Sequence, residues 1–280
     1  MSYMDRINEC NRYDESTKIP FVLDGQRVGQ VFKKYESYCL ESGIFVREGE
    51  SLTLKDAYKT FETRTEVLKV FAKNALADAV VDSYMNESYP ILASVSSEPF
   101  AFIDRGISTL LGTLSFGQHL NAYVITKEGM KMWIGRRAYN KGYEAGKLDH
   151  LVAGGLPYDL SPWENLKKEC YEEAGMSEEL ALQAKEVGLV SYRYDYSLGG
   201  KEDIIYCYDI ELNEDFIPVC TDGEVEAFYL MPIEEVAEIV RETNEFKLNC
   251  NLVIIDFLVR HGYLGVEDED YVEIVRGLRQ

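Results

Sequence analysis

The stretch SPWENLKKECYEEAG, residues 161–175, has the residue order of a short and well-capped helix. Ser161 can cap the free backbone N–H groups of the first turn, Pro162 suits that turn, and Glu164 completes a capping box. Gly175 supplies the stop, because a glycine accepts the left-handed backbone that ends many helices. The sequence therefore predicts a helix with a definite beginning and end.

Three carboxylates share one side of this helix. Glu169, Glu172 and Glu173 are spaced i, i+3 and i+4, which brings their side chains together at 3.6 residues per turn. Like charges at these spacings repel by roughly a few tenths of a kcal/mol per pair. A divalent cation would remove that repulsion, and hard oxygen ligands suit Mg²⁺ or Mn²⁺. A solvated glutamate-rich face is the plainer interpretation, so the surrounding sequence has to decide between the two.

The composition excludes several classes of protein. The chain has 280 residues and a formal net charge of -20, so two domains of ordinary size are expected. The acidic excess argues against nucleic-acid binding and against adhesion to anionic membranes. The six cysteines and three histidines show no metal-ligand spacing, so zinc is not expected, and free thiols fit a reducing cytoplasm. No signal peptide or membrane span is expected either.

The first part of the chain reads as a small α+β domain of unassigned role, residues 1–115. Its first 17 residues are polar, and we expect them to be poorly ordered. A hairpin is predicted around Asp24-Gly25, and the apolar spacing of residues 54–82 indicates a helix. That helix should bury one side, formed by Leu68, Phe71, Ala72, Ala75 and Leu76. No flexible linker follows, so the two parts are expected to pack closely.

Residues 116–280 alternate strands with helices, which predicts an α/β (α+β) sandwich with a mixed sheet. A hairpin is expected at Glu128-Gly129, and residues 151–155 form a short strand that ends in a glycine pair. Three aromatic and β-branched strands follow the capped helix. Residues 232–241 and 251–261 have helical spacing.

The glycine pair and the capped helix together resemble the signature of the Nudix hydrolases. That signature has a glycine, then a first glutamate, and later Arg-Glu, Glu-Glu and Gly; here the matching residues are Gly154, Glu169, Cys170, Glu172, Glu173, Gly175 and Met176. Two positions depart from it. Lys168 replaces the usual arginine, which keeps the charge but loses the planar fork. Leu160 replaces the first glutamate, which leaves the number of metal ions open.

The resemblance implies roles for these residues. Glu169 and Glu173 would be metal ligands, with the backbone carbonyl of Ala153, and Glu172 would be a ligand or the base that activates water. The metal, Mg²⁺ or Mn²⁺, would neutralise a diphosphate and lower the pKa of water. The fold implied is the Nudix α/β/α sandwich, preceded here by the small α+β domain.

Further stretches resemble the two-domain Nudix proteins related to the segment attached to fungal thiamine pyrophosphokinase. The matching stretches are FGQHLN (116–121), WIGRR (133–137), GKLD (146–149), AGG (153–155), DGEVE (222–226) and DFLVRHGY (256–263). This resemblance implies a small-molecule substrate such as thiamine diphosphate or its damaged forms, oxythiamine diphosphate among them. The product would be the monophosphate.

Several other residues are candidates for the site. Arg136, Arg137 and Lys147 form a basic cluster that suits phosphate oxygens, although two arginines that alternate along a strand cannot both point into one cleft. Glu224 follows a turn and is a candidate base or ligand, and a solvated glutamate is the alternative. We interpret His119 as a buried structural histidine. Alternating tyrosines at 192, 194 and 196 could stack on a heteroaromatic ring, but core packing is the simpler role.

Three other functions compete with this interpretation. The first is a Nudix hydrolase of ADP-ribose or another nucleoside diphosphate derivative. The second is a non-catalytic Nudix module that senses a ligand, which the retention of all three glutamates argues against. The third is isopentenyl-diphosphate isomerase, which needs more histidines and an available cysteine, whereas Cys170 lies on the apolar side of the helix. A homodimer and a substrate pocket shared with the leading domain remain hypotheses.

Overall fold

The computed structural model describes residues 2–280 and shows a mixed α and β architecture. The helices are α1 (Tyr3–Cys10), α2 (Glu36–Glu41), α3 (Phe61–Ala77), α4 (Arg105–Leu111), α5 (Pro162–Ala174), α6 (Glu178–Ala181), α7 (Ile233–Glu242), α8 (Cys250–Arg260) and α9 (Tyr271–Gly277). The strands are β1 (Lys18–Leu23), β2 (Gln26–Phe32), β3 (Phe45–Glu48), β4 (Ser51–Leu54), β5 (Ser88–Ile91), β6 (Ala101–Asp104), β7 (Leu114–Thr126), β8 (Gly129–Arg137), β9 (Leu148–His150), β10 (Val152–Gly155), β11 (Lys185–Asp195), β12 (Gly200–Glu211) and β13 (Val225–Pro232). Within this part of the chain, no helix combines the length and the apolar character that crossing a bilayer requires.

The later part of the chain is the predicted sandwich around a mixed sheet. Its strand order is β11-β12-β7-β8-β13, with β10 added to β7 and β9 added to β8. Strand β12 runs parallel to β7, and the other pairs are antiparallel. Helix α5 packs on one face, while α1, α7, α8 and α9 cover the other. The hairpin predicted at Glu128-Gly129 joins β7 to β8.

The leading unit has its own core. A four-stranded sheet of order β2-β1-β4-β3 and the hairpin of β5 and β6 pack against α3 and α4. The hairpin predicted at Asp24-Gly25 is present between β1 and β2. Helix α3 buries Leu68, Phe71, Ala72 and Ala75 as expected, but Leu76 is 40% exposed because it lies at the edge of the apolar side.

The prediction that the first residues are poorly ordered is wrong. They form α1, which begins with a capping box between Ser2 and Asp5. Its Ile7 and Cys10 are fully buried in the core of the later unit, against α8 and α9. The buried Arg6 guanidinium donates to the carbonyl of Val240 at 3.0 Å. The polar composition led to a wrong prediction because a helix of eight residues needs only two or three well-placed apolar side chains to pack against a core.

The two units pack closely, as the lack of a linker suggested. Lys18 of β1 is buried and forms an ion pair of 2.7 Å with Asp195 at the end of β11. Gly199 lies so close to the backbone carbonyl of Thr109 that a Cβ there would overlap with it. Because α1 also belongs to the later core, deleting the first 115 residues would remove the leading unit and also part of the core of the later unit.

A buried ionic cluster joins the sheet to the last long helix. Asp209 on β12 accepts hydrogen bonds from Arg260 and from the Asn121 amide, the latter at 2.9 Å. The His261 ring nitrogen lies 3.0 Å from the same carboxylate. Arg260 also pairs with Asp256 at 2.7 Å, one turn earlier on α8. These contacts give His261 a structural role.

Candidate active site

Helix α5 begins and ends as its sequence predicts. The backbone N–H of Glu164 donates to the Ser161 hydroxyl at 3.3 Å, and the Ser161 N–H donates back to the Glu164 carboxylate at 2.9 Å. Gly175 ends the helix in the left-handed conformation, with φ of 63°. Leu166 and Cys170 are buried against the sheet. Because this side packs on the sheet, the rotation of α5 about its own axis is fixed.

Two of the α5 carboxylates converge on strand β10. Glu173, only 7% exposed, accepts a hydrogen bond from the Ala153 N–H at 2.7 Å. The Glu169 carboxylate lies against Gly154, where an added Cβ would come within 2.6 Å of the carboxyl carbon. A larger residue at position 154 would displace Glu169. The glycine thus allows the helix and the strand to bring both acids together.

Lys168 is the cation nearest to these acids on the helix. Its ammonium lies 2.7 Å from Glu172 and 3.3 Å from Glu169, between the two carboxylates. Because it is half exposed on a flexible side chain, it can move aside when a more highly charged cation binds. The position of this ammonium shows that the acids form a site for positive charge.

Burial shifts the ionisation of the two inner acids. It raises the pKa of Glu173 well above its usual value, and the hydrogen bond from Ala153 only partly opposes the shift. Burial also raises the pKa of Glu169, against the attraction of Lys168. Neutral carboxylic acids are favoured where no strong positive charge compensates for lost solvation. A hard divalent cation, bound by Glu169, Glu172, Glu173 and the Ala153 carbonyl, fits this oxygen-donor set.

Glu224 lies across a small cavity from Glu173. Both residues line it, together with Arg137 and the start of β13. The Glu224 carboxylate forms an ion pair with Lys141 and is otherwise half exposed. The structure thus brings the loop before β13 to the site.

The predicted basic residues differ in their surroundings. Arg137 lines the cavity and donates to Asp149 at 2.9 Å. The Arg136 guanidinium donates instead to the Gly146 carbonyl at 2.7 Å and to the Tyr229 hydroxyl at 3.2 Å. Lys147 donates to the carbonyl of Asn244, away from the acids. Arg136 and Arg137 both line the cavity, whereas Lys147 does not.

The leading unit contributes two residues that the sequence did not reveal. An added Cβ at Gly155 would lie 2.8 Å from the guanidinium carbon of Arg105 and closer still to the Tyr89 hydroxyl. Arg105 forms an ion pair of 3.1 Å with Glu87. It also lies near enough to Glu169 to oppose, in part, the rise in that acid's pKa that burial causes. About fifty residues separate Arg105 from the glycine pair, and no local motif marks it.

Comparison with known proteins identifies the architecture. A model of the NUDIX domain matches residues 117–250, and a model described as a domain of unknown function (DUF4743) matches residues 2–115. Nudix hydrolase 20, chloroplastic, of Arabidopsis thaliana is 39% identical over 99% of this chain and 77% of its own length. The chain belongs to the Nudix family.

A second curated relative and a solved structure are also similar to this Nudix protein. Nudix hydrolase 24, chloroplastic, of Arabidopsis thaliana is 40% identical over 99% of the chain and 77% of its own length. A MutT protein structure from Methanosarcina mazei Go1 is 17% identical, covers 54% of this chain and 96% of its own, and has a TM-score of 0.41. The family model and the two Arabidopsis relatives show that the protein is a Nudix diphosphohydrolase.

The three alternating tyrosines of this Nudix protein have different surroundings. Tyr192 is fully buried and donates to Asp203 at 2.6 Å, which is a structural role. The Tyr194 and Tyr196 rings lie 4.6 Å apart, and Tyr196 also contacts Tyr143 at 5.3 Å between ring centres. Burial with a hydrogen bond therefore accounts for Tyr192, and packing against other aromatic rings accounts for Tyr194 and Tyr196.

His119 is buried, as predicted, but it has an unexpected neighbour. Its Nδ1 lies 2.9 Å from Nδ1 of His150, although the two residues are 31 positions apart. Asp149 and Cys250 complete the same buried group. Spacing along the chain could not show this convergence, because three separate elements supply the residues.

Proposed function

We propose that this Nudix protein hydrolyses thiamine diphosphate or its oxidised and damaged analogues, such as oxythiamine diphosphate. Water adds to a phosphorus atom, the bridging P–O bond breaks, and the products are the monophosphate and inorganic phosphate. The observation that supports a diphosphate is the convergence of Glu169 and Glu173 on the glycine pair, with Arg105 beside it. The thiamine moiety rests on the resemblance of six further stretches.

The acids of α5 would hold the metal in this reaction. Glu169, Glu173 and the Ala153 carbonyl supply oxygen ligands, and Glu172 supplies a further ligand or accepts the proton of water. A bound Mg²⁺ or Mn²⁺ neutralises diphosphate charge and favours ionisation of water. With a metal on these acids, Lys168 would be available to donate to a phosphate oxygen.

Glu224 is a second candidate for the base. It lies on a loop opposite Glu173, and it is half exposed, so a water molecule can reach it. Arg137, across the same cavity, would bind phosphate oxygens.

Arg105 brings the leading unit into the site. Its guanidinium lies against Gly155 and faces Glu169, so it can reach the same diphosphate as the metal. Arginine suits phosphate oxygens because it donates two parallel hydrogen bonds. We infer that the two units share the substrate site, with the leading unit supplying this cation.

Replacing Arg105 with alanine should raise KM for the diphosphate substrate by about tenfold or more, since a hydrogen bond to a charged group contributes roughly 1.5–3 kcal/mol. Steady-state kinetics of the full chain would measure it. Arg47→Ala is the matched control, because Arg47 pairs with Glu36 on the same unit. An unchanged KM in a folded Arg105→Ala protein would contradict the shared site.

The proposed substrate is tested by phosphate release with Mg²⁺ across a panel. The panel contains thiamine diphosphate, oxythiamine diphosphate, ADP-ribose, a nucleoside triphosphate and isopentenyl diphosphate. Highest kcat/KM on the thiamine compounds supports the proposal. Activity confined to ADP-ribose or nucleotides keeps the hydrolase but rejects the substrate, and binding without turnover of any compound favours a sensing module.

A further inference from the structure

A second group of metal-ligand side chains borders the cavity of the candidate active site, where Asp149 and His150 belong to the lining. His119 comes from β7, Asp149 and His150 from β9, and Cys250 from the first position of α8. One ligand atom from each lies within 4.8 Å of all the others, and every member is at most 5% exposed. The three elements that supply them are distant in sequence.

The donor atoms face one another. The Cys250 thiol lies 2.8 Å from Oδ1 of Asp149, and Nδ1 of His150 lies 3.8 Å from the same oxygen. The two histidine Nδ1 atoms are 2.9 Å apart. Zinc bonds of about 2.0–2.3 Å in a tetrahedron place ligand atoms roughly 3.3–3.8 Å apart. The separations in this cluster bracket those values, so small side-chain shifts suffice.

The two histidine rings of the cluster share a single hydrogen bond between their Nδ1 atoms. Coordination of an ion through Nδ1 of both histidines would replace that bond with two stronger interactions. Nε2 of His150, which is buried and has no hydrogen-bond partner, lies on the other side of its ring.

The surrounding charges suit a zinc ion. Arg137 and Lys247 bind the other oxygen of Asp149, at 2.9 and 3.1 Å, which fixes the orientation of the carboxylate. Such outer partners are typical of metal sites. Zn²⁺ with one thiolate and one carboxylate is neutral.

We propose that His119, Asp149, His150 and Cys250 bind one structural Zn²⁺. This reverses the expectation from cysteine and histidine spacing. The nitrogen and sulfur donors distinguish the site from the all-oxygen set on α5, which suits Mg²⁺. Four protein ligands leave no open position, so the ion joins β7, β9 and α8 and takes no part in hydrolysis. Binding displaces the Cys250 proton to solvent.

The test measures zinc in the full chain after dialysis against excess Mg²⁺, and the spectrum after exchange of zinc for Co²⁺. The wild type should retain about one zinc per chain, and its Co²⁺ form should show a thiolate charge-transfer band. Cys250→Ser should abolish the band and weaken zinc binding by about tenfold or more. His119→Gln should weaken zinc binding similarly.

Cys220→Ser is the control, because Cys220 is the most accessible of the six thiols and would bind metal adventitiously. It should retain both the zinc and the band. A folded wild type that holds no zinc overturns the proposal, and so does a Cys250→Ser protein that keeps the charge-transfer band. Should both variants unfold, the zinc content and spectrum of the wild type still decide.

Discussion

Replacing Glu173 with glutamine should leave the protein folded and lower kcat by about a thousandfold or more. The substitution removes a charged metal ligand, and the metal contributes several kcal/mol to catalysis, each 1.4 kcal/mol being about tenfold in rate. The fold should survive because burial already favours the uncharged form of Glu173. An amide oxygen can still accept the Ala153 hydrogen bond. Phosphate release under saturating substrate measures the change.

Glu178→Gln serves as the matched control for this substitution. Glu178 lies on α6, is exposed and pairs with Lys167 at 2.5 Å, outside the convergent acids. Its kcat should remain within about twofold of the wild type. A Glu173→Gln protein with near-normal turnover would refute the metal role of this residue, and loss of far-ultraviolet circular dichroism would show that folding had failed instead.

Replacing Asp209 with alanine should lower the free energy of unfolding by about 3–5 kcal/mol, because Arg260 would lose the buried partner of its charge. Asp209 is 5% exposed and carries the contacts that fasten α8 to β12. Urea unfolding, followed by tryptophan fluorescence, would measure the difference. Glu211→Ala is the control, since Glu211 is exposed two residues along the same strand.

The same cluster sets a dependence on pH. Burial opposes ionisation of Asp209, but the hydrogen bonds from Arg260 and His261 outweigh it and hold its pKa below the ordinary value of 3.8. The stabilisation by Asp209 is therefore complete when the pH is above the ordinary pKa of the unfolded chain. It is lost as the pH falls through the lowered pKa of the folded protein. Asp209→Ala should flatten this acid-side decline. A variant as stable and as acid-sensitive as the wild type would contradict the assignment.

Local sequence rules were sufficient to predict helix α5. Ser161 and Pro162 act on the first turn of α5 and Gly175 acts at its end, so these local signals alone predicted where α5 begins and ends. The clustering of Glu169, Glu172 and Glu173 on one side followed from helix geometry. None of these inferences required knowledge of a distant contact.

Distant contacts account for what the sequence did not show. Arg105 reaches the site only because β5 and α4 pack over the glycine pair, and no pattern near residue 105 indicates this. His119, His150 and Cys250 each have an unremarkable local sequence, and their convergence depends on the pairing of β7, β8 and β9. The hydrogen-bond partners of Arg136 and Arg137 differ, and the alternation of side chains along a strand could not reveal those partners.

Helix α1 has a consequence for the order of events during protein synthesis. Ile7 packs against Gly277, and the Asn11 amide donates to the carbonyl of that glycine at 3.3 Å. The helix leaves the ribosome before its docking surface on α8 and α9, which follows only about 240 residues later. At roughly 5–20 residues per second, α1 waits on the order of tens of seconds while the leading unit closes its own core. A nascent chain that stalls before α8 thus presents an undocked apolar helix, which chaperones and proteases can recognise.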